Sequence, residues 1–268
     1  DEIAAGMDFV CARTAEGERL LAAWLLHAAP IEEAVSRQQA VAELAPNNGL
    51  REDLALLGED IRAALHPAAL RQWGEAPAIP FRGATGPACL ALAALTASSF
   101  LAYLANLVPL APFLLFILIE GAFSMTLHTR LERVTESLDT PARDLALLAF
   151  LLERLERERF QSARLAALEA EIAGSAAAIA RLETLVQRLE WAHNQFFRPF
   201  AFALMWIPLH AIAIERWRRR SGPAIARWIE SLAEIEALSS LACYAFEHPE
   251  TTYPTLVAEG PLLDAEDI

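Results

Sequence analysis

The stretch GATGPACLALAALTASSFLAYLANLVPLAPFLLFILI, residues 83–119, contains no charged residue and no His. A helix that crosses a bilayer needs about 20 apolar residues, so this stretch has room for two. Asn106-Leu107-Val108-Pro109-Leu110-Ala111-Pro112 lies near its middle. Proline starts helices well and continues them badly, which predicts two helices, about 87–107 and about 110–128, joined by a tight turn. Arg82 flanks one outer end, Arg130 and Arg133 flank the other, and the turn is uncharged. The positive-inside tendency then places both outer ends in the cytoplasm. A core helix of a soluble protein normally carries a polar stripe, and this segment has none. A buried hairpin in a soluble helical protein is the alternative. Glu120 falls within the second helix, where it is expected near the cytoplasmic interface or paired inside the protein. A proton or ion role is the sharper reading of such a carboxyl.

The 268-residue chain is 55% hydrophobic, above the usual 45–50% or so of soluble domains. The excess is concentrated in this stretch and again in residues 196–214. The formal net charge is -13, from 35 acidic and 22 basic residues. Such a surface repels phosphate, so the chain as a whole is not an electrostatic DNA binder. Every basic residue is Arg, and the absence of Lys excludes both a P-loop and a Schiff-base enzyme. Cys11, Cys89 and Cys243 are widely spaced, which predicts free thiols rather than a disulfide framework or zinc site. The six His residues form no i, i+3 or i, i+4 pair, and no G-x-S-x-G or G-x-G-x-x-G occurs. No catalytic, cofactor-binding or metal-ligating residue is expected.

Outward from the hairpin, the rest reads as helix. On the N-terminal side, residues 8–27 show helical spacing with Thr14 as a cap, and Pro30 ends the run. Further helices are expected at 31–44 and about 50–65, with a turn at Pro46-Asn47-Asn48-Gly49 and a connector at 74–87. On the C-terminal side, Leu145, Leu148, Leu152 and Leu155 step by threes and fours. So do Leu165, Leu168, Ile172, Ser175, Ile179, Leu182, Val186 and Leu189. This coiled-coil-like seam predicts a long arm, divided by Gly174-Ser175 as a C′–N-cap junction. The charge run Glu153–Arg159 reads as its solvated face.

Residues 196–214 are apolar but interrupted by Arg198, Pro199, Pro208 and His210. They predict a core helix or one lying on a membrane surface. The basic cluster Arg216, Arg218, Arg219 and Arg220 then has two readings: the exposed end of a helix before Ser221-Gly222-Pro223, or a contact with anionic lipid or phosphate. A last helix follows from Pro223 to Glu247, with Ile225, Trp228, Ile229, Leu232, Ile235, Leu238, Leu241 and Ala242 on one face. The expected fold is therefore all-α. Its segments are 1–82, first part of a helical core; 83–128, the hairpin; 129–195, lever or arm helices; and 196–268, return to the core and a linker.

Two distant segments resemble one family. The first is Thr14-Ala15-Glu16-Gly17-Glu18-Arg19-Leu20-Leu21-Ala22-Ala23-Trp24-Leu25, followed by Pro30-Ile31 and Arg37-Gln38-Gln39-Ala40-Val41-Ala42-Glu43-Leu44. The second is Trp228-Ile229-Glu230-Ser231-Leu232-Ala233-Glu234-Ile235-Glu236-Ala237-Leu238-Ser239-Ser240-Leu241-Ala242, then His248-Pro249 and Tyr253-Pro254. The first is similar to the opening of the helical core domain of MutS mismatch-repair proteins, and the second to the helix leading from that core to the ATPase domain. Between them, Phe160-Gln161-Ser162-Ala163-Arg164-Leu165 and the helices after it fit the family's lever and clamp loosely. No Phe-x-Glu occurs, so no mismatch-reading residue carries over, and no nucleotide-binding residue does either.

The resemblance implies a MutS-core-like domain with the hairpin inserted into it, within a longer protein whose ATPase domain follows residue 268. ATP and Mg would belong to that domain, DNA would be a partner of the full-length protein, and a homodimer is implied. The expected role is a non-catalytic core and lever that couples nucleotide state to DNA or a membrane partner. The expected location is a bacterial-type inner membrane with the core on the cytoplasmic side, or else the cytoplasm. The acidic balance favours a second reading, a membrane-anchored coiled-coil scaffold with no nucleic-acid role. A small channel or transporter subunit is a third.

Overall fold

The computed structural model describes residues 12, 14–62 and 65–257. Among them all regular structure is helical and no strand occurs. The elements are α1 (Ala15–Leu26), α2 (Ile31–Leu44), α3 (Asn48–Arg62), α4 (Pro67–Glu75), α5 (Thr85–Leu104), α6 (Ala111–Glu136), α7 (Asp139–Glu156), α8 (Ala163–Ile172), α9 (Ser175–Glu190), α10 (Arg198–Ala203) and α11 (Trp206–Glu247). The part of the first expected helix that precedes Ala12 lies outside the described residues. The chain divides into two compact units. One takes the described residues of 1–65, 147–176 and 227–268; the other takes those of 66–146 and 177–226. Residues 129–195 are shared between the two units.

In the first unit the apolar periodicity becomes a core. Leu21, Leu44, Leu50, Leu148, Leu151, Leu152, Leu155, Leu165 and Ile172 are fully buried. Each such side chain contributes about 1.5–3 kcal/mol relative to exposure. The helix starts are held by side chains. Thr14 Oγ1 accepts from the Gly17 N–H at 3.1 Å, as its position before α1 predicts. Asn47 Oδ1 accepts from the Leu50 N–H at 3.2 Å, so α3 begins earlier than expected. Glu43 on α2 accepts from the Gln161 and Ser162 N–H groups, at 2.6 and 2.7 Å, where α8 begins. Burial works against the Glu43 charge, but the donors of Ser162 and Gln161 outweigh it and hold its carboxyl below the ordinary value. Gly174 does take the left-handed conformation after α8, at φ +76°. Ser175, however, is the first residue of α9 rather than its cap. Glu156 accepts from its hydroxyl at 2.9 Å and from the Ala176 N–H at 3.1 Å.

The second unit contains α4, to which sequence periodicity assigns no helix; Leu70, Trp73 and Gly74 are its buried residues. Ser221-Gly222-Pro223 was expected to break a helix, yet α11 runs through it with Pro223 inside. Proline removes one donor, so a surrounding long helix can tolerate it where packing compensates. Packing is close at this point. A Cβ on Gly74 would lie 2.7 Å from the Gly222 carbonyl oxygen, and one on Gly222 would collide with the Gly74 oxygen. The two glycines let the α4 and α11 backbones touch. The break falls earlier instead, at Met205, whose φ is +48°.

Candidate functional site

The apolar hairpin consists of α5 and α6, both long and apolar enough to cross a membrane. Thr85, Cys89, Ala93, Thr96 and Ser99 recur every three or four residues and form the buried face of α5. These are small side chains that allow close helix approach, as at helix contacts within lipid. The end of α5 is closed by Asn106 in the left-handed conformation, at φ 57°. Its N–H donates to the Tyr103 carbonyl and the Leu107 N–H to the Ala102 carbonyl, both at 2.9 Å. Asn tolerates this geometry, so it ends the helix where Gly more often does. Both helices differ in extent from expectation: α5 stops at Leu104, and α6 continues to Glu136. Near the turn, the Phe100 and Phe113 rings lie 5.0 Å apart.

Midway along the hairpin, Glu120 is fully buried and accepts a hydrogen bond from Thr96 Oγ1 at 2.6 Å. Its second oxygen has no hydrogen-bond partner among the described residues. Of the two expected placements, pairing inside the protein is the one observed. Thr96 was not identified from the sequence, because a Thr in an apolar run carries no signal of its partner.

A third segment packs against the hairpin. The α10 helix touches both α5 and α6. Phe202 lies 3.6 Å from where a Gly121 Cβ would stand, and the Ser124 hydroxyl is 3.7 Å from Met205 Sδ. The flanks of this segment are pinned by rings. Trp191 and Trp206 stack at 6.2 Å, Phe197 meets Trp206 edge-on at 5.1 Å, and Trp206 Nε1 donates to the Arg188 carbonyl at 2.6 Å. Phe196, Phe200 and Phe202 remain exposed. Between α6 and α10 lies an open groove of about 570 Å³, lined by Phe113, Leu114, Ile117 and Phe202 with Gln195 and Arg198. In the sequence Arg198 reads only as an interruption of an apolar segment. The available signal was a single cation among Trp191, Phe196, Phe197, Phe200, Phe202 and Trp206.

The basic cluster divides. Arg216, Arg219 and Arg220 are exposed on α11. Arg218 is not: it is buried and pairs with buried Glu215 at 2.8 Å. Its guanidinium also donates to the carbonyls of Trp73, Ala76 and Pro77, each at 3.0 Å. Glu215 accepts from the Ile79 N–H at 2.9 Å as well. Helical geometry explains the correction, because residues three apart share a face, and here that face carries Glu215 and Arg218 inward. The cluster is also not the exposed end of a helix, since α11 continues for a further 27 residues from Ser221 to Glu247.

Among the described residues no group of three His, Cys, Asp or Glu side chains could hold a metal ion. Cys89 and Cys243 are free thiols, and Cys11 lies outside the described residues. No protein-family model, characterised protein or solved structure matches the chain.

Proposed function

We propose that this chain is a non-catalytic helical module anchored in a membrane by the α5–α6 hairpin. The observation that carries the reading is exposure. Only 22% of the apolar window of α5 and 11% of that of α6 is buried within the protein. Leu90, Leu101, Leu107 and Leu118 are each more than 60% exposed. Burying one leucine is worth about 1.5–3 kcal/mol, so four of them facing water forgo roughly 6–12 kcal/mol. A core helix of a soluble protein would have its apolar face covered, whereas lipid covers it without any protein contact. Arg82, Arg130 and Arg133 at the outer ends of the hairpin favour a cytoplasmic location for those two ends.

We further propose that the module is the core and lever of a MutS-like ATPase. The support is a joint between the two segments that carry the resemblance. The Thr14 N–H and hydroxyl both donate to Glu236 Oε2, and Gly17 lies against the same carboxylate with no room for a side chain. In a full-length protein, ATP, Mg and the main dimer contact would belong to an ATPase domain beyond this region. The second reading is a membrane-anchored scaffold with no nucleic-acid role, favoured by the net charge of -13.

Anchoring is tested by expressing the chain with and without residues 83–128 and floating each with phosphatidylcholine vesicles after alkaline extraction. The intact chain should float and the deleted one should not. An intact chain that is extracted into the aqueous phase refutes the anchor. Binding to duplex or branched DNA that weakens as salt rises supports the MutS-like reading, and no binding at low salt leaves the scaffold.

A further inference from the structure

We propose that the groove between α6 and α10 holds one anionic phospholipid, with its phosphate on Arg198 and Gln195 and an acyl chain along Phe113, Leu114, Ile117 and Phe202. The inference rests on the membrane reading of the hairpin and adds to it a defined lipid site.

Phe113 and Leu114 lie in the first turn of α6, about 3–5 Å along the axis from its start at Ala111. They share the groove with Gln195 and Arg198. Phe202 meets α6 at Gly121, about 15 Å from that start, and Met205 meets it at Ser124, about 20 Å away. The segment 195–205 therefore runs alongside the turn-side half of α6, in the same direction. Its polar residues, Gln195 and Arg198, are at the turn end, and its apolar residues, Phe200 to Met205, are further in. In a hydrocarbon layer about 30 Å thick, this is a re-entrant segment whose cation reaches the interface beside the hairpin turn. A charge at that level is tolerated and finds phosphate.

Arg198 is exposed, and among the described residues no carboxylate pairs with it. A guanidinium matches phosphate oxygens, and the adjacent Gln195 amide supplies further donors. The rest of the wall is aromatic and aliphatic, and the volume falls in the range of about 300–1,000 Å³ typical of small-molecule clefts. Phe196, two residues before the cation in the chain, is 90% exposed. Exposed aromatic rings beside an Arg are the composition of a membrane interface. A free phosphate would use the cation and leave the apolar wall bare, so a lipid matches both halves of the groove. This site is separate from Arg216, Arg219 and Arg220, which lie on α11.

The full chain in mild detergent is titrated with phosphatidylglycerol, with phosphatidylcholine and with inorganic phosphate, and thermal unfolding is followed. Phosphatidylglycerol should stabilise the protein and the other two should not. Arg198→Gln should weaken the phosphatidylglycerol effect about fivefold, while Arg198→Lys keeps most of it and Arg157→Gln, at an exposed arginine paired with Glu153, leaves it unchanged. Native mass spectrometry gives an independent reading: the unsubstituted chain should retain one phosphatidylglycerol in preference to phosphatidylcholine, even if Arg198→Gln fails to fold. The site is refuted if Arg198→Gln titrates like the unsubstituted chain, if inorganic phosphate stabilises equally, or if no lipid is retained. If those results occur while the chain still floats with vesicles, only the lipid site is lost. If the chain does not float, the anchor itself is wrong and the site goes with it.

Discussion

Replacing Gly222 by alanine puts a methyl group where the Gly74 carbonyl oxygen already lies. The new Cβ would also stand 3.2 Å from the Gly74 carbonyl carbon and 3.3 Å from its Cα. All three neighbours are backbone, so no side chain can swing aside. Comfortable carbon contacts begin at about 3.5 Å, and α4 must retreat by on the order of 1 Å to restore them. That movement pulls on the three hydrogen bonds by which Arg218 holds Trp73, Ala76 and Pro77. Overpacking of this kind costs about 1–3 kcal/mol, and weakening a charged hydrogen bond costs about 1.5–3 kcal/mol. Alanine recovers about 1 kcal/mol of helix propensity. The balance is a destabilisation of roughly 2–4 kcal/mol. Gly74→Ala meets the Gly222 oxygen at 2.7 Å and Ile225 Cδ1 at 3.1 Å and should behave similarly. Once one substitution has parted the helices, the second should be cheaper, so the double variant should lose less than the sum. Urea unfolding in mild detergent, read by tryptophan fluorescence, measures this directly, since the Trp73 and Trp217 rings lie 6.2 Å apart beside the crossing. Gly83→Ala, with nothing within 4 Å, is the control and should change stability by less than about 0.5 kcal/mol. A Gly222→Ala protein as stable as the unsubstituted chain refutes the backbone contact and the account of why α11 runs through Pro223.

Two further outcomes follow from charges in the core and at a helix start. Arg218→Ala leaves Glu215 buried without its cation and should cost about 3–5 kcal/mol in the same unfolding assay, whereas Arg219→Ala or Arg220→Ala should change little. Glu43 has a carboxyl held below its ordinary value when folded. Its contribution is complete above the unfolded carboxyl value and is lost as pH falls through the lower folded value. Glu43→Gln should therefore flatten that part of the stability–pH curve between about pH 5 and 3, and an unchanged curve would remove the Glu43–Ser162 linkage.

Much of the helical framework was legible because its signals are local. Thr14 before α1, the periodic leucines of α7 and α8, and Gly174 after α8 depend on neighbours within a few residues. The two apolar helices were legible for the same reason, since length and lack of charge are read directly from the chain. Their ends were less so. Asn106 stops α5 early by taking a left-handed conformation that Asn permits without requiring, and α6 extends into residues that a hydropathy boundary had excluded.

The basic cluster shows where local reading fails. Four arginines in sequence look like one surface, but helical rotation turns Arg218 inward while Arg216, Arg219 and Arg220 stay exposed. Ser221-Gly222-Pro223 fails similarly: as a string it is a breaker, and against Gly74 it is a close crossing. The candidate lipid groove was hidden for a related reason, since its walls come from α6 and from a segment some 80 residues later.

By itself, the sequence pointed to a helical chain with two long apolar helices around a charge-free stretch at residues 83–119, no Lys chemistry and an acidic balance. Those properties follow from composition and from periods of three to four residues. Only the tertiary structure decided that Glu120 is met by Thr96, that Thr14 is met by Glu236, that Arg218 is a core cation, and that Arg198 stands beside the hairpin turn. Each of these depends on which faces meet across many residues of chain, and no local period encodes that.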